Sequence, residues 1–205
     1  MKKTIILIIA CVSVSICYGQ TADEYVNTGL AKAEALGDYR GAIVDYGKAI
    51  ELNPTHFLTY YYRGNAKVAI GDYQGAIVDY SKIIELDPTG ASGAMAYFTR
   101  GLTKAKLSDY RGAIADYRQA VGLGFTDFVA YYNSGVAKAK IRDYEGAIAD
   151  YSKAIKLNSM DADTYYNRGV AKLHLNEKDS GCLDLSKAGE LGHSQAYDKI
   201  REHCN

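Results

Sequence analysis

The chain has 205 residues, 48% of them hydrophobic, and its 24 basic residues are balanced by 24 acidic ones. This hydrophobic fraction argues against general disorder, and the charge balance argues against a nucleic-acid-binding protein, which needs a basic stripe. Both prolines, Pro54 and Pro88, are far apart, as suits a chain made largely of helices.

The first 19 residues have the pattern of a secretory signal peptide. Lys2 and Lys3 precede an apolar run from Ile5 to Cys17, which is too short for a comfortable membrane span. Cleavage after Gly19 fits best, and no later segment is long and apolar enough to predict a span in the mature chain.

Two alternatives to cleavage after Gly19 remain open at this stage. Cys11 ends a sequence, Ile-Ile-Ala-Cys, that resembles a bacterial lipobox, so the chain could be a lipoprotein anchored through Cys11. A retained N-terminal anchor is the second alternative. With cleavage or lipidation, we expect a protein exported from the cytoplasm, periplasmic or secreted.

Two cysteines, Cys182 and Cys204, remain after the leader. An even number of cysteines in an oxidising compartment favours a disulfide. If Gly192 marks a turn between antiparallel helices, the two cysteines lie at similar heights above it and can be bridged. Two unpaired buried thiols are the alternative.

The rest of the chain is built from repeats. The stretch Gly71–Pro88 reads GDYQGAIVDYSKIIELDP, and near copies begin at Gly37, Asp109 and Asp143. Their first tyrosines, Tyr39, Tyr73, Tyr110 and Tyr144, are spaced by 34, 37 and 34 residues. A helical unit that recurs at this period predicts a stack of repeats.

Each unit is predicted to contain two antiparallel helices. In the second unit the first helix covers residues 57–70, and the next begins near Tyr73 and ends before Pro88. Gly71 accepts the positive φ of a tight turn, and Asp72 can cap the following helix. Proline ends the unit because the residue before a proline is pushed out of the helical region.

The first helices carry a Gly-x-x-Lys signature of their own, and it occurs five times. Its copies begin at Gly29, Gly64, Gly101, Gly135 and Gly169. The second helix of the fifth unit, from Gly181 to Ala188, departs from the repeat, as expected of a terminal unit whose outer face has no neighbour. Residues 193–205 are then predicted to form a capping helix.

These positions resemble the tetratricopeptide repeat (TPR) family over residues 22 to about 195. The matching positions are a large aromatic at 4 (Tyr25, Tyr60, Tyr97, Tyr131, Tyr165), a small residue at 8 (the five glycines above), a small residue at 20 (Ala42, Ala76, Ala113, Ala147, Gly181) and an aromatic at 24 (Tyr46, Tyr80, Tyr117, Tyr151, then Leu185). The resemblance implies an all-α fold, a right-handed α-solenoid of about five helix–turn–helix units. The units are about 22–56, 57–90, 94–127, 128–161 and 162–195, in an array over residues 20–192.

One departure from the family pattern affects the geometry. Ala91, Ser92 and Gly93 are extra residues before the third unit. We expect them to lengthen the joint and to produce a bend or twist near residues 89–93.

No pattern for catalysis, a metal or a cofactor is evident. The four histidines are not spaced with Cys, Asp or Glu as a metal site requires, and there is neither a phosphate-binding loop after a strand nor a nucleophile elbow. We therefore expect a protein that is not an enzyme and has no cofactor.

Charged residues recur at fixed positions. Every second helix carries an aspartate (Asp45, Asp79, Asp116, Asp150, Asp184), every first helix a lysine (Lys32, Lys67, Lys104, Lys138, Lys172), and three units an arginine (Arg63, Arg100, Arg168). We favour a ladder of ion pairs between helices over a charged stripe for a ligand. Exposed pairs of this kind would each contribute about 0–1 kcal/mol.

The resemblance implies that the concave groove is formed by positions 2, 5, 9, 12 and 13 of the first helices. The residues predicted to bind a partner there are Tyr61, Asn65, Phe98, Leu102, Tyr132, Val136, Lys140, Tyr166, Val170 and His174. Aromatics one turn from aliphatics suit an extended peptide or an amphipathic helix. The family's carboxylate clamp is not expected, since only Asn65 matches it in type.

The leading hypothesis is an exported interaction module, an adaptor or scaffold that binds a protein or peptide segment in this groove. The alternative is a structural protein of the envelope that self-associates into a homo-oligomer. A sugar-binding surface is a third hypothesis, because tyrosine faces stack on sugars, but it has no supporting polar pattern.

Overall fold

The computed structural model of the protein describes residues 20–204, so the predicted signal peptide (residues 1–19) and the lipobox at Cys11 lie outside the described residues. Eleven helices and no strand occur in this range. They are α1 (Ala22–Leu36), α2 (Tyr39–Leu52), α3 (Phe57–Ala69), α4 (Tyr73–Leu86), α5 (Ala91–Lys106), α6 (Tyr110–Gly122), α7 (Phe128–Lys140), α8 (Tyr144–Leu157), α9 (Ala162–His174), α10 (Lys178–Glu190) and α11 (Ala196–His203).

A tight turn joins the two helices of each unit. At the second unit Gly71 has φ 82°, and the Asp72 carboxylate accepts a hydrogen bond of 2.9 Å from the Gly75 amide, as the sequence predicted. The same cap forms at Asp38, Asp109 and Asp143. The cap satisfies an amide that the first turn of a helix otherwise leaves unpaired.

Glycine is required where the two helices of a unit meet. The Tyr80 ring lies directly on Gly64, where a Cβ atom would come within 2.7 Å of the ring. The pattern repeats at Gly29, Gly101 and Gly135, each under the tyrosine of its own second helix. These four tyrosines, Tyr46, Tyr80, Tyr117 and Tyr151, are at most 2% exposed and form the centre of the core.

The units stack side by side into a right-handed α-solenoid. Every helix packs on the next one along the chain, and the first helices of successive units also contact one another. Second helices of successive units form no comparable contact within the described residues. The first helices are therefore more closely spaced, and their shared face is the inner, concave side of the solenoid.

The joint before the third unit differs from the prediction. Ala91, Ser92 and Gly93 do not lengthen the connection, because they form the first turn of α5. The Asp87 carboxylate holds this turn by accepting hydrogen bonds from the amides of Gly90 (3.0 Å) and Ser92 (3.1 Å). The extra residues therefore extend a helix.

The C-terminal end is closed by α11, which is shorter than predicted and begins at Ala196. Leu185 replaces the core tyrosine of the fifth unit and is fully buried against Gly169. Cys182 of α10 and Cys204 form a disulfide, with their Cα atoms 5.9 Å apart. The predicted pairing thus ties the end of the chain to the last unit.

Candidate functional site

The concave face has a pocket between α7 and α9, where four of the predicted groove residues come together. Val136 and Lys140 lie on α7, and Val170 and His174 lie on α9. The pocket has a volume of about 200 Å³ and is also lined by Asn167, Tyr144 and Tyr151. Its walls are aliphatic and aromatic, and Lys140 and His174 place exposed basic groups beside them.

Tyr132 lies on the same side of α7 and links the two helices. Its hydroxyl accepts a hydrogen bond of 3.2 Å from the Asn167 amide nitrogen of α9, and its ring packs on Tyr151. Burial, and next the charges of Asp163 and Asp161, raise the pKa of Tyr132. Tyr132 is half-buried, so part of the residue remains exposed.

His174 closes one side of this pocket. Its ring stacks on Tyr144, with centroids 4.5 Å apart and an interplanar angle of 9°. The stack fixes the orientation of a side chain that would otherwise be free at the end of α9. Sequence reasoning missed Tyr144 and Asn167, which lie at positions outside the family's groove set.

A second and more apolar pocket lies on the face near α3 and α5. It has a volume of about 320 Å³ and is lined by Phe57, Leu58, Tyr61, Ile83 and Met95, with Ala91 and Ser92. Phe57, Leu58 and Met95 are about two-fifths exposed. Tyr61 was predicted, whereas Leu58 and Met95 were missed although they occupy position 2, one of the family's groove positions.

Asn65, the other predicted residue of this unit, is exposed and has a structural partner. Its side-chain oxygen accepts a hydrogen bond of 2.7 Å from the hydroxyl of Tyr80. It therefore connects the groove surface to the buried tyrosine of the same unit.

Phe98 does not present its ring on the groove surface as we expected. It is only 9% exposed, because Phe125 of the connection before α7 stacks on it with ring centroids 4.6 Å apart. Leu102 packs against the same cluster and is half-buried. In the third unit the predicted anchor therefore belongs to the core.

Tyr166 is also covered. The ring of His193, in the turn before α11, stacks on it at 3.9 Å between centroids. Tyr166 thus packs against the C-terminal end of the chain and is only partly exposed.

The recurring charges form the predicted ladder within each unit, but the pairs are not exposed. Arg100 donates two hydrogen bonds of 2.8 Å to Asp116, which also pairs with Lys104 at 2.8 Å and is 3% exposed. The same arrangement occurs at Asp79 and Asp184, while Asp45 and Asp150 pair with a lysine alone. The expectation of exposed pairs is wrong, because these carboxylates are buried between two helices.

The described residues show neither a metal cluster nor a membrane-spanning helix. From residue 20 to residue 204 there is no group of three or more His, Cys, Asp or Glu side chains that could hold a metal ion. No helix in the same range has the length and apolar character needed to cross a membrane.

The chain matches two family descriptions. The description "TPR repeat" matches residues 35–71 and 143–175, and "Tetratricopeptide repeat" matches residues 59–89 and 94–123. Together the matches cover more than half of the chain. No curated protein has a significant match to it.

Solved structures with the same fold span nearly the whole described chain. A crystal structure of MamA protein is 27% identical with a TM-score of 0.78, and covers 88% of this chain and 96% of its own. A second MamA structure is 26% identical, with a TM-score of 0.74 and coverages of 88% and 99%.

YrrB, described as a TPR protein with an unusual peptide-binding site, is 22% identical with a TM-score of 0.75, and covers 88% of this chain and 92% of its own. At that identity the likeness concerns the fold. The repeat matches, the all-helical solenoid and these neighbours agree, and the chain belongs to the tetratricopeptide repeat family.

Proposed function

We propose that the protein is an exported TPR interaction module, an adaptor or scaffold that binds a peptide or protein segment on its concave face. The observation that carries the proposal is the pocket between α7 and α9, which gathers Val136, Lys140, Val170 and His174. Neighbouring units must both contribute to such a pocket, as expected of a surface that recognises an extended ligand.

The chemistry of the face indicates the kind of ligand. The pocket at Tyr61 is almost wholly apolar, whereas the pocket at Val170 has Lys140 and His174 beside it. A segment with a large apolar side chain toward one end and an acidic group toward the other would match both. Apolar anchors would provide most of the affinity, and the Lys140 ammonium would favour one orientation of the segment.

Known members support binding rather than catalysis. TPR scaffolds are generally not enzymes, and YrrB, which shares this fold, is described by its peptide-binding site. We assign no catalytic residue.

Peptide selection tests the binding proposal directly. Residues 20–205, immobilised with the disulfide intact, would be screened against a random peptide library, and the binders would be mapped by amide chemical shifts. We expect the shifts to cluster around Val136, Asn167 and Val170. Binders that shift only residues of α2, α4 and α6 would overturn the assignment of the face.

Export is the second part of the proposal. The basic and apolar leader supports it, and so does the disulfide between Cys182 and Cys204, because disulfides persist mainly in oxidising compartments. Residues 1–40 fused to a reporter that is active only outside the cytoplasm should give activity. Loss of membrane association on Cys11→Ser would favour lipidation, and a soluble product cut after Gly19 would favour simple cleavage; an inactive fusion would refute export.

Self-association is a second candidate, and a row of exposed aliphatics supports it. Val44, Val78 and Leu183 occupy the same position of α2, α4 and α10 and are 57%, 66% and 72% exposed. They lie on the second helices, away from the concave face. Light scattering should show a dimer or larger species if this row is an interface, and a monomer at high concentration would exclude it.

A further inference from the structure

The fourth unit lacks an arginine that three other units have. Arg63, Arg100 and Arg168 occupy the same position of α3, α5 and α9, and the corresponding residue of α7 is Ser134. The three arginines show which contacts a guanidinium makes at this position.

Each guanidinium is held by its own unit in two ways. It donates paired hydrogen bonds to the aspartate of the second helix, as Arg168 does to Asp184 at 2.8 and 2.7 Å. It also lies over the tyrosine three residues earlier, with 5.6 Å from the Arg168 Cζ to the Tyr165 centroid. Arg100 and Arg168 donate a further bond to a serine of the preceding unit, Ser81 and Ser152.

In the fourth unit the aspartate, Asp150, is present, but the described residues bond to only one of its two carboxylate oxygens. Ser134 and Lys138 both approach the same oxygen of Asp150, Oδ2, at 2.6 Å. No described residue donates a hydrogen bond to Oδ1, although Asp150 is only 7% exposed. Because Asp150 lines the cavity described next, Oδ1 is an acceptor that a ligand can reach.

A cavity stands where the guanidinium would be. It has a volume of about 440 Å³ and is lined by Tyr131, Ser134 and Asp150 of the fourth unit, with Arg118 of α6 and Lys153 of α8 among the other residues around it. It lies on the opposite face of α7 from Tyr132, Val136 and Lys140, because the two sets are about half a helical turn apart. The cavity is therefore separate from the proposed groove.

We propose that this cavity binds the guanidinium of an arginine side chain from a partner protein. The ligand's guanidinium would donate to Oδ1 of Asp150, as the chain's own arginines donate to their aspartates in the second, third and fifth units. A planar fork of donors suits a carboxylate better than a lysine ammonium does.

The two basic residues beside the cavity restrict which partner segment can bind there. Arg118 and Lys153 form no ion pair with another described residue, although Lys153 lies over the Tyr131 ring at 5.3 Å. Both would repel a bare cation. The arginine that binds is therefore flanked by carboxylates, which pair with Arg118 and Lys153 while the guanidinium enters beneath them.

The test uses matched peptides and the mature chain. Acetyl-Asp-Arg-Asp-amide would be titrated into residues 20–205 and followed by amide shifts at Ser134 and Asp150. The controls replace the arginine by lysine or by uncharged citrulline. We expect saturable shifts with arginine, and binding weaker by about tenfold or more with either control peptide.

Two variants separate this cavity from a general charge effect. Ser134→Arg restores the residue of the other units, so it should fold, fill the cavity and abolish binding of the arginine peptide. Thr28→Arg makes the same change in the first unit, where Thr28 also replaces the arginine. It should leave binding unchanged.

Three outcomes would overturn the proposal. The first is an arginine peptide that gives no saturable shifts, and the second is one that binds Ser134→Arg as well as the wild type. The third is binding that occurs only after Arg118→Ala, which would mean that the chain's own Arg118 occupies the cavity.

Discussion

The second helices and the first helices of the solenoid repeat the same plan to different degrees. The second helices place a tyrosine and an aspartate at the same two positions, and those side chains are buried in every unit that has them. Concave positions of the first helices vary between units, from Asn65 to Val170 at one position and from Ala69 to His174 at another, and these residues remain at least partly exposed. The uniform positions, which are the buried tyrosines and aspartates of the second helices, form the stable core that we call the wall. The variable positions of the first helices are available to bind a partner.

Raising the pH should lower the stability of the fold more than any single substitution does, because it acts on all the buried tyrosines of the wall at once. Burial, and next the charge of Glu34, raise the pKa of Tyr46 to about 12, and burial raises the pKa of Tyr80, Tyr117 and Tyr151 as well. The unfolded state therefore releases these protons first, and stability should fall as the pH rises above about 10.

Circular dichroism and phenolate absorbance, followed together, check this prediction. Loss of helix should accompany ionisation, and Tyr117→Phe, which keeps the ring but removes one phenol, should move the transition to higher pH. A helical signal that persists after all tyrosines have ionised would contradict the assignment.

Removing one ring from the wall should have the next largest effect. Tyr117 is 2% exposed and lies on Gly101, so Tyr117→Ala should lower the free energy of unfolding by about 3–5 kcal/mol. Urea unfolding measures the change, with Tyr117→Phe as the matched control. Equal stabilities for the two variants would mean that the ring does not support the wall.

A buried ion pair of the ladder should contribute less to the free energy of unfolding than the Tyr117 ring does, but more than a surface ion pair. Asp116→Ala leaves Arg100 and Lys104 without a carboxylate and should cost about 3 kcal/mol, the low end for breaking a buried pair, because both cations keep some exposure. Asp150→Ala leaves one cation, Lys138, and the Ser134 hydroxyl without the carboxylate, and it should cost less. Thermal or urea unfolding of the two variants would reveal a reversed order, which would contradict this account of the ladder.

The smallest stability change we predict concerns a single methyl group. Gly135→Ala places a Cβ within 2.6 Å of the Tyr151 ring and should cost about 1–3 kcal/mol. Gly47→Ala is the control, because its nearest neighbour is Arg63 at 4.0 Å, and it should stabilise the chain by up to about 1 kcal/mol. Urea midpoints that shift in the same direction would contradict the contact.

The sequence was sufficient to predict the structural features that recur from unit to unit. The units, the turn at Gly71, the helix caps and the identity of the ladder partners all follow from positions that recur. The pairing of Cys182 with Cys204 followed from their heights above a single turn at Gly192.

What the sequence did not reveal depends on residues that occur once. Phe125 comes from a connection with no counterpart in the other units, so nothing in the repeat predicted that it would bury Phe98. His193 covers Tyr166 in the same way. The burial of the aspartates was missed because a charged residue at a regular spacing has the same pattern whether it is exposed or paired between helices.

The most direct test of the division between wall and recognition face compares two identical substitutions. Val170→Glu changes the pocket between α7 and α9, and Val78→Glu changes a residue of α4 that is 66% exposed. Calorimetric titration with a peptide selected on the wild type would give both dissociation constants. We predict binding about tenfold or more weaker for Val170→Glu and unchanged for Val78→Glu. Equal affinities for the two variants, or loss only in Val78→Glu, would contradict the assignment of the concave face.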